Sequence, residues 1–116
     1  MSYDAYLPDI DVLDGKARVM NNMGLYLRLL GKFDGAKMAE DITRAMKEED
    51  LKCVASASHA LRGTAANLGF PVVQKVTTEI EALAKEGKDA HHLAGRLNEA
   101  VSALSNAIGM LVASQA

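Results

Sequence analysis

The sequence predicts an all-α fold, an antiparallel four-helix bundle with additional short helices at its N-terminal side. Three observations carry this. The only two prolines, Pro8 and Pro71, bracket a stretch dominated by Ala, Leu, Met, Lys and Glu, all strong helix formers. Apolar residues recur at intervals of three and four along most of the chain. Capping residues stand where those apolar runs begin or end. With 116 residues, 49% of them hydrophobic and 24% charged, the chain has the size and balance of one globular domain, and residues 1–116 are read as a single unit. That length excludes a two-domain enzyme.

Residues 1–13 read as a lead-in segment, with Ile10, Val12 and Leu13 docking on the bundle. A short helix is expected from Asp14 to Met20, and a second from Asn22 to Lys32, with Leu25, Leu29 and Leu30 on its apolar side and Gly31 weakening its end. Phe33 and Asp34 look like a staple residue and N-cap. The third helix then carries Met38, Ile42, Ala45 and Met46 until the charged Lys47-Glu48-Glu49-Asp50. A fourth begins near Asp50 and carries Leu51, Val54, Leu61, Ala65 and Leu68 down one side. Gly69 as C-cap and Pro71 at the first position of the next helix mark a firm boundary. The fifth helix has Val73, Val76, Ile80, Leu83 and Ala84 as its apolar set and closes at Gly87-Lys88. Asp89 is the expected N-cap of a last helix whose stripe is Leu93, Leu97, Ala100, Val101, Leu104, Ile108 and Leu111. The bundle core thus spans about residues 34–113, with short loops between antiparallel neighbours.

Thirteen Lys and Arg against fifteen Asp and Glu give a net charge of −2, without the basic excess that binding a phosphate backbone requires, so nucleic acid is not an expected partner. Cys53, the only cysteine, cannot form an internal disulfide, which fits a reducing compartment, and a cytoplasmic location is expected. Met1-Ser2-Tyr3-Asp4 lacks a basic n-region, and the longest apolar-plus-glycine stretch, Ala107 to Ala113, is far below the roughly 18 residues of a spanning helix. Neither an export signal nor a membrane segment is expected. His91 and His92 invite a metal reading, but adjacent helical residues point about 100° apart and no Cys or spaced acid completes a site. No metal and no cofactor is therefore expected, and Cys53 reads as inert packing.

One histidine stands apart. Stepping about 100° per residue from Leu68 places Leu61, Val54 and Ala57 on the core face of the fourth helix and His59 about 180° away, toward solvent or a partner. Its own stripe is Lys52, Ala55, Ser56, Arg62, Gly63 and Ala66, so the surface around it is low and carries two cations. Gly63 in mid-helix costs about 1 kcal/mol relative to Ala with no turn to require it, which points to close approach of something to the backbone. A neutral imidazole is a competent nucleophile near neutral pH, and Arg62 one turn on can neutralise an arriving anion, a phosphoryl group fitting best. The plain alternative is an exposed histidine on an Ala-rich helix with no role.

The turn between the fourth and fifth helices adds a register argument. Phe70 lies eleven residues after His59 and eleven before Glu81, so in an antiparallel hairpin both sit about 16 Å from the turn, at one level. Glu81, at the flank of its apolar stripe, can then accept the Nδ1 proton of His59 and fix the tautomer that leaves Nε2 free. Against this stands the wheel, which aims His59 away from the core. Glu81 reads equally as a solvated charge paired with Lys85 four residues on.

Ser58-His59-Ala60-Leu61-Arg62-Gly63-Thr64-Ala65-Ala66-Asn67-Leu68-Gly69 resembles the signature of histidine-containing phosphotransfer (HPt) domains, in which His, Leu, a Lys or Arg, Gly and a later Gly recur at this spacing. Weaker similarity covers Ile10-Asp11, Leu25-Tyr26, Leu29-Leu30 with Phe33, Asp50-Leu51 and Glu79-Ile80-Glu81, so the resemblance takes in most of the chain. It implies that His59 is phosphorylated on Nε2 from the aspartyl phosphate of a receiver domain, for instance in a hybrid sensor histidine kinase, and relays the group to the receiver of a response regulator. Arg62 stands where the family more often has lysine, Gly63 matches the glycine that admits the receiver, and Glu81 matches a Glu or Gln bonded to the histidine. The resemblance implies a carrier with no ATP-dependent kinase activity, with magnesium on the partner receiver. A docking rim of Ala55, Ser56, Gly63, Ala66 and Asn67 is expected, joined by Met20 and Met23 unless those two are core. A monomer is expected, because a self-interface over His59 would block transfer. The rival function is a non-phosphorylated helical adaptor that binds a receiver or a histidine kinase.

Overall fold

A computed structural model describes residues 2–115. Among them the ordered elements are all helical: α1 Val12–Ala17, α2 Met23–Lys32, α3 Gly35–Lys47, α4 Leu51–Leu68, α5 Pro71–Lys85 and α6 Ala94–Gln115, with 3-10 turns at Asp4–Tyr6 and His91–Leu93. The long helices α3 to α6 form the antiparallel bundle, α4 packing most extensively on α5, and α6 closing the ring against α3 and α5. None is long and apolar enough to cross a membrane.

Local chemistry sets the boundaries. Asn22, Asp34 and Asp50 each cap a helix by accepting from the backbone N–H three residues on, at 3.0, 3.1 and 3.1 Å. Gly69 ends α4 in the left-handed region at φ +80°, where Gly69 and Phe70 both donate to the Ala65 carbonyl, and Pro71 opens α5. Ile42, Leu61, Ile80, Leu97, Leu104 and Leu111 are fully buried at the centre, and Phe33 packs on Phe70 with ring centroids 5.0 Å apart.

The N-terminal segment fastens onto the α4–α5 turn. Asp11 N–H donates to the Gly69 carbonyl at 2.8 Å and the buried Tyr26 hydroxyl donates to the Leu68 carbonyl at 2.6 Å, so two carbonyls left over at the end of α4 find partners. Gly15 sits so close that a Cβ there would run into the Leu68 carbonyl and the Tyr26 ring. Burial, with the charges of Asp11 and Asp14, pushes the Tyr26 phenol well above its usual range.

Several expectations need correction. The first helix starts at Val12 because Asp11 is its cap, accepting from Asp14 N–H, and it ends before Met20 and Asn21, both at φ 58°. Ile10 and Val12 are buried as expected, but Leu13 is 63% exposed, since α1 turns its opposite face to the bundle. In α2 the buried residues are Tyr26 and Leu30, while Leu25 and Leu29 are half-buried. Asp89 is not the N-cap of α6: its carboxylate accepts from His91 N–H, and a 3-10 turn over His91–Leu93 with Ala90 at its N-cap precedes the helix. Cys53 is exposed, so it is not a core packing residue.

The carbonyl clamp predicts that Tyr26→Phe lowers unfolding free energy by about 1–2 kcal/mol, because a buried acceptor loses its donor. Ser58 Oγ, buried without a hydrogen-bond partner among the described residues, predicts the opposite sign, and Ser58→Ala holds or raises stability. Urea unfolding of the two variants beside the parent checks both.

Candidate functional site

Mid-helix on α4, Ser58 is buried and His59 emerges beside it with its side chain 64% exposed. The capped turn sets α4 and α5 in register, and this brings Glu81 of α5 alongside. His59 Nδ1 lies 2.9 Å from Glu81 Oε2. The wheel objection fails because the imidazole bends along the helix flank toward α5 with one nitrogen while the rest of the ring stays in solvent. Nε2 makes no hydrogen bond among the described residues.

Glu81 is only 4% exposed, so the solvated-charge reading is overturned. Its bond to Lys85 nevertheless exists, Nζ to Oε2 at 2.9 Å, and coexists with the one to His59. Arg62 Nε donates to Oε1 at 2.6 Å, and Arg62 Nη2 also lies 2.9 Å from His59 Nδ1. Burial alone would raise the Glu81 carboxyl, but hydrogen bonds from Lys85, Arg62 and His59 together hold it down at about 2 against an ordinary 4.5. At neutral pH it is a fixed anion that can only accept.

The surroundings are low. Beyond its chain neighbours and its own helix backbone, a Cβ added at Gly63 would meet no atom of the described residues within 4 Å, so the space over that backbone is open. Ala55 and Ala66 are half-buried and Ser56 and Asn67 exposed on the same helix. Met20 is 92% exposed and therefore not core, whereas Met23 is half-buried against it. The structure thus brings His59, Arg62 and Glu81 into contact and places Ala55, Ser56, Gly63, Ala66 and Asn67 along the same helix. Lys85 is the member the site reading missed; its spacing of four from Glu81 was the available signal. Its position makes the set a histidine and two cations around one buried carboxylate. Such a set can hold a nucleophilic ring nitrogen outward and stabilise positive charge on the ring.

The profile of the Hpt domain family matches residues 33–107 of this chain. Among solved structures the chain is similar to the HPT domain from the Hpt sensor hybrid histidine kinase of Shewanella, with a TM-score of 0.80 and 19% identity over 90% of this chain and 94% of that one. That likeness concerns the fold. Among curated proteins no relative matches.

The buried carboxylate yields a pH prediction. Unfolded Glu81 takes up its proton near 4.5 and the folded group only near 2, so its contribution is complete above 4.5 and is lost as pH falls toward 2. Glu81→Gln is expected to lower stability by about 1–3 kcal/mol at neutral pH, discounted for the exposure of its partners. Urea titrations should show that gap closing across the same acid window; a gap unchanged at its lower end would contradict the ionised, buried Glu81.

Proposed function

Because this chain belongs to the Hpt domain family, a family of phosphorelay carriers, we propose that His59 is the residue that carries the phosphoryl group, received from an aspartyl phosphate of a receiver domain and passed to the receiver of a response regulator. One observation carries the reading. Nδ1 faces a buried, ionised carboxylate while Nε2, on an exposed ring, has no partner among the described residues.

In the Nδ1–H tautomer the Nε2 lone pair attacks phosphorus as the bond to the aspartyl oxygen breaks and that oxygen leaves as carboxylate. The ring becomes an N-phosphorylated imidazolium, its positive charge opposite Glu81. No proton has to leave the ring during transfer, which suits a carrier that must run the step in reverse. Arg62, in contact with the ring, supplies positive charge for the incoming oxygens, while Gly63, with Ala55, Ser56, Ala66 and Asn67, leaves room for a receiver to bring its aspartate close. Magnesium would come with the receiver. The donor receiver is that of a hybrid sensor histidine kinase, and the carrier is a cytoplasmic monomer without ATP-dependent kinase activity.

The test is label transfer from a panel of phosphorylated receivers with magnesium present, to wild type and to His59→Gln. Only wild type should take up label. Equal labelling of the variant would move the site elsewhere, and an unlabelled wild type that binds a receiver tightly would establish the adaptor in place of the carrier. Gly63→Ala should fold about 1 kcal/mol more stably, since the methyl group meets nothing in the free protein. Gly63→Leu should fold as well yet lose more than about tenfold in transfer rate, as expected where a bulky side chain disturbs the reacting geometry. Parallel melting and transfer measurements separate the two effects.

A further inference from the structure

Two neighbours make opposite demands on His59 Nδ1. A ring nitrogen of neutral imidazole either bears a proton and donates or bears a lone pair and accepts. Glu81 Oε2, at 2.9 Å, belongs to a carboxylate and only accepts; Arg62 Nη2, also at 2.9 Å, belongs to a guanidinium and only donates. The first is satisfied by Nδ1–H, which leaves a lone pair on Nε2. The second is satisfied by a bare Nδ1, which puts the proton on Nε2 and blocks its attack on phosphorus.

Neither neighbour decides the matter alone, because each has other partners. Glu81 keeps Arg62 Nε on Oε1 at 2.6 Å and Lys85 Nζ on Oε2 at 2.9 Å, so surrendering the histidine proton does not orphan a buried oxygen. Arg62 keeps its Nε bond in both states, and its side chain, 35% exposed, lets water take Nη2 when the histidine does not. Each tautomer thus satisfies one of the two Nδ1 neighbours and turns a like group toward the other.

We infer that Arg62 is a positioning residue that holds part of the resting His59 population in the unreactive Nε2–H tautomer, with Lys85 making that state tolerable. An anionic phosphoryl group arriving before Nε2 draws the Arg62 fork away, and the exposed ring then gives a proton to water at Nε2 and takes one up at Nδ1, with no net change. A lysine at this position would supply the charge without the fork, since a single ammonium cannot span Glu81 and Nδ1 as guanidinium does. The arginine thus makes reactivity conditional on the presence of the phosphoryl group. The consequence for transfer rests on the carrier reading above, but the tautomer equilibrium does not.

The test is a two-bond proton–nitrogen correlation spectrum of the histidine-¹⁵N-labelled full chain at about pH 8.5, where imidazole is ordinarily neutral, with His59→Gln assigning the signal. The averaged shifts of the two ring nitrogens report the tautomer ratio. Arg62→Lys should raise Nδ1–H over Nε2–H by about three- to tenfold, the value of one hydrogen bond. Lys85→Met should move the ratio the same way, because Glu81 then leans harder on the histidine. A ratio unchanged in Arg62→Lys, or one moved toward Nε2–H, overturns the inference. No phosphoryl donor is in the sample, so this result stands apart from success or failure of label transfer.

Discussion

The site hangs on one buried carboxylate. Placing the Glu81 anion between two packed helices is unfavourable unless it is met by donors, and it is met by three, from His59, Arg62 and Lys85. That requirement fixes how α4 and α5 lie against each other. It is satisfied only if the turn joining them has the right length, and the left-handed Gly69 followed by Phe70 and Pro71 supplies that length. The N-terminal segment then clamps the same turn through Asp11, Gly15 and Tyr26. Two distant parts of the chain thus converge on the geometry that orients one imidazole.

Orientation is what phosphoryl transfer asks of such a protein if, as proposed, the receiver brings most of the catalytic machinery. The domain answers with contrast: a fully ionised carboxylate under the ring, an open nitrogen above it, and a surface kept low by small residues and Gly63. A glycine that weakens its helix and touches nothing in the free protein makes sense as room for another molecule. The arginine bound to both Glu81 and His59 adds a second layer, tying the tautomer of the ring to whatever anion competes for the guanidinium.

Much of this was legible in the sequence because its signals are local. Asp34 and Asp50 as caps, the Gly69–Pro71 boundary and the long α6 stripe need no tertiary information, and all-helical architecture follows from them. The equal spacing of His59 and Glu81 about Phe70 was likewise readable, because helix rise converts residue number into height. Burial of a charge was not: Glu81 looks solvated by type, and only packing reveals that three donors surround it. The same limit explains Lys85, whose contact with the carboxylate gains meaning only once that carboxylate is buried. Near the N-terminus the first helix was expected from Asp14, whereas Asp11 caps it, and the Asp11 N–H also reaches the Gly69 carbonyl, a tertiary contact that local spacing does not reveal. Asp89 is a residue type suited to an α-helix cap, yet its carboxylate binds His91 N–H and a 3-10 turn intervenes before α6.

The central claim is that Glu81 holds Nδ1 so that Nε2 of His59 is the atom that bears phosphate. The most direct measurement is ³¹P–¹⁵N coupling in the phosphorylated, histidine-¹⁵N-labelled protein, which identifies the bonded nitrogen. The account predicts coupling to Nε2 of His59. Coupling to Nδ1, or to a ring nitrogen of His91 or His92, would contradict it.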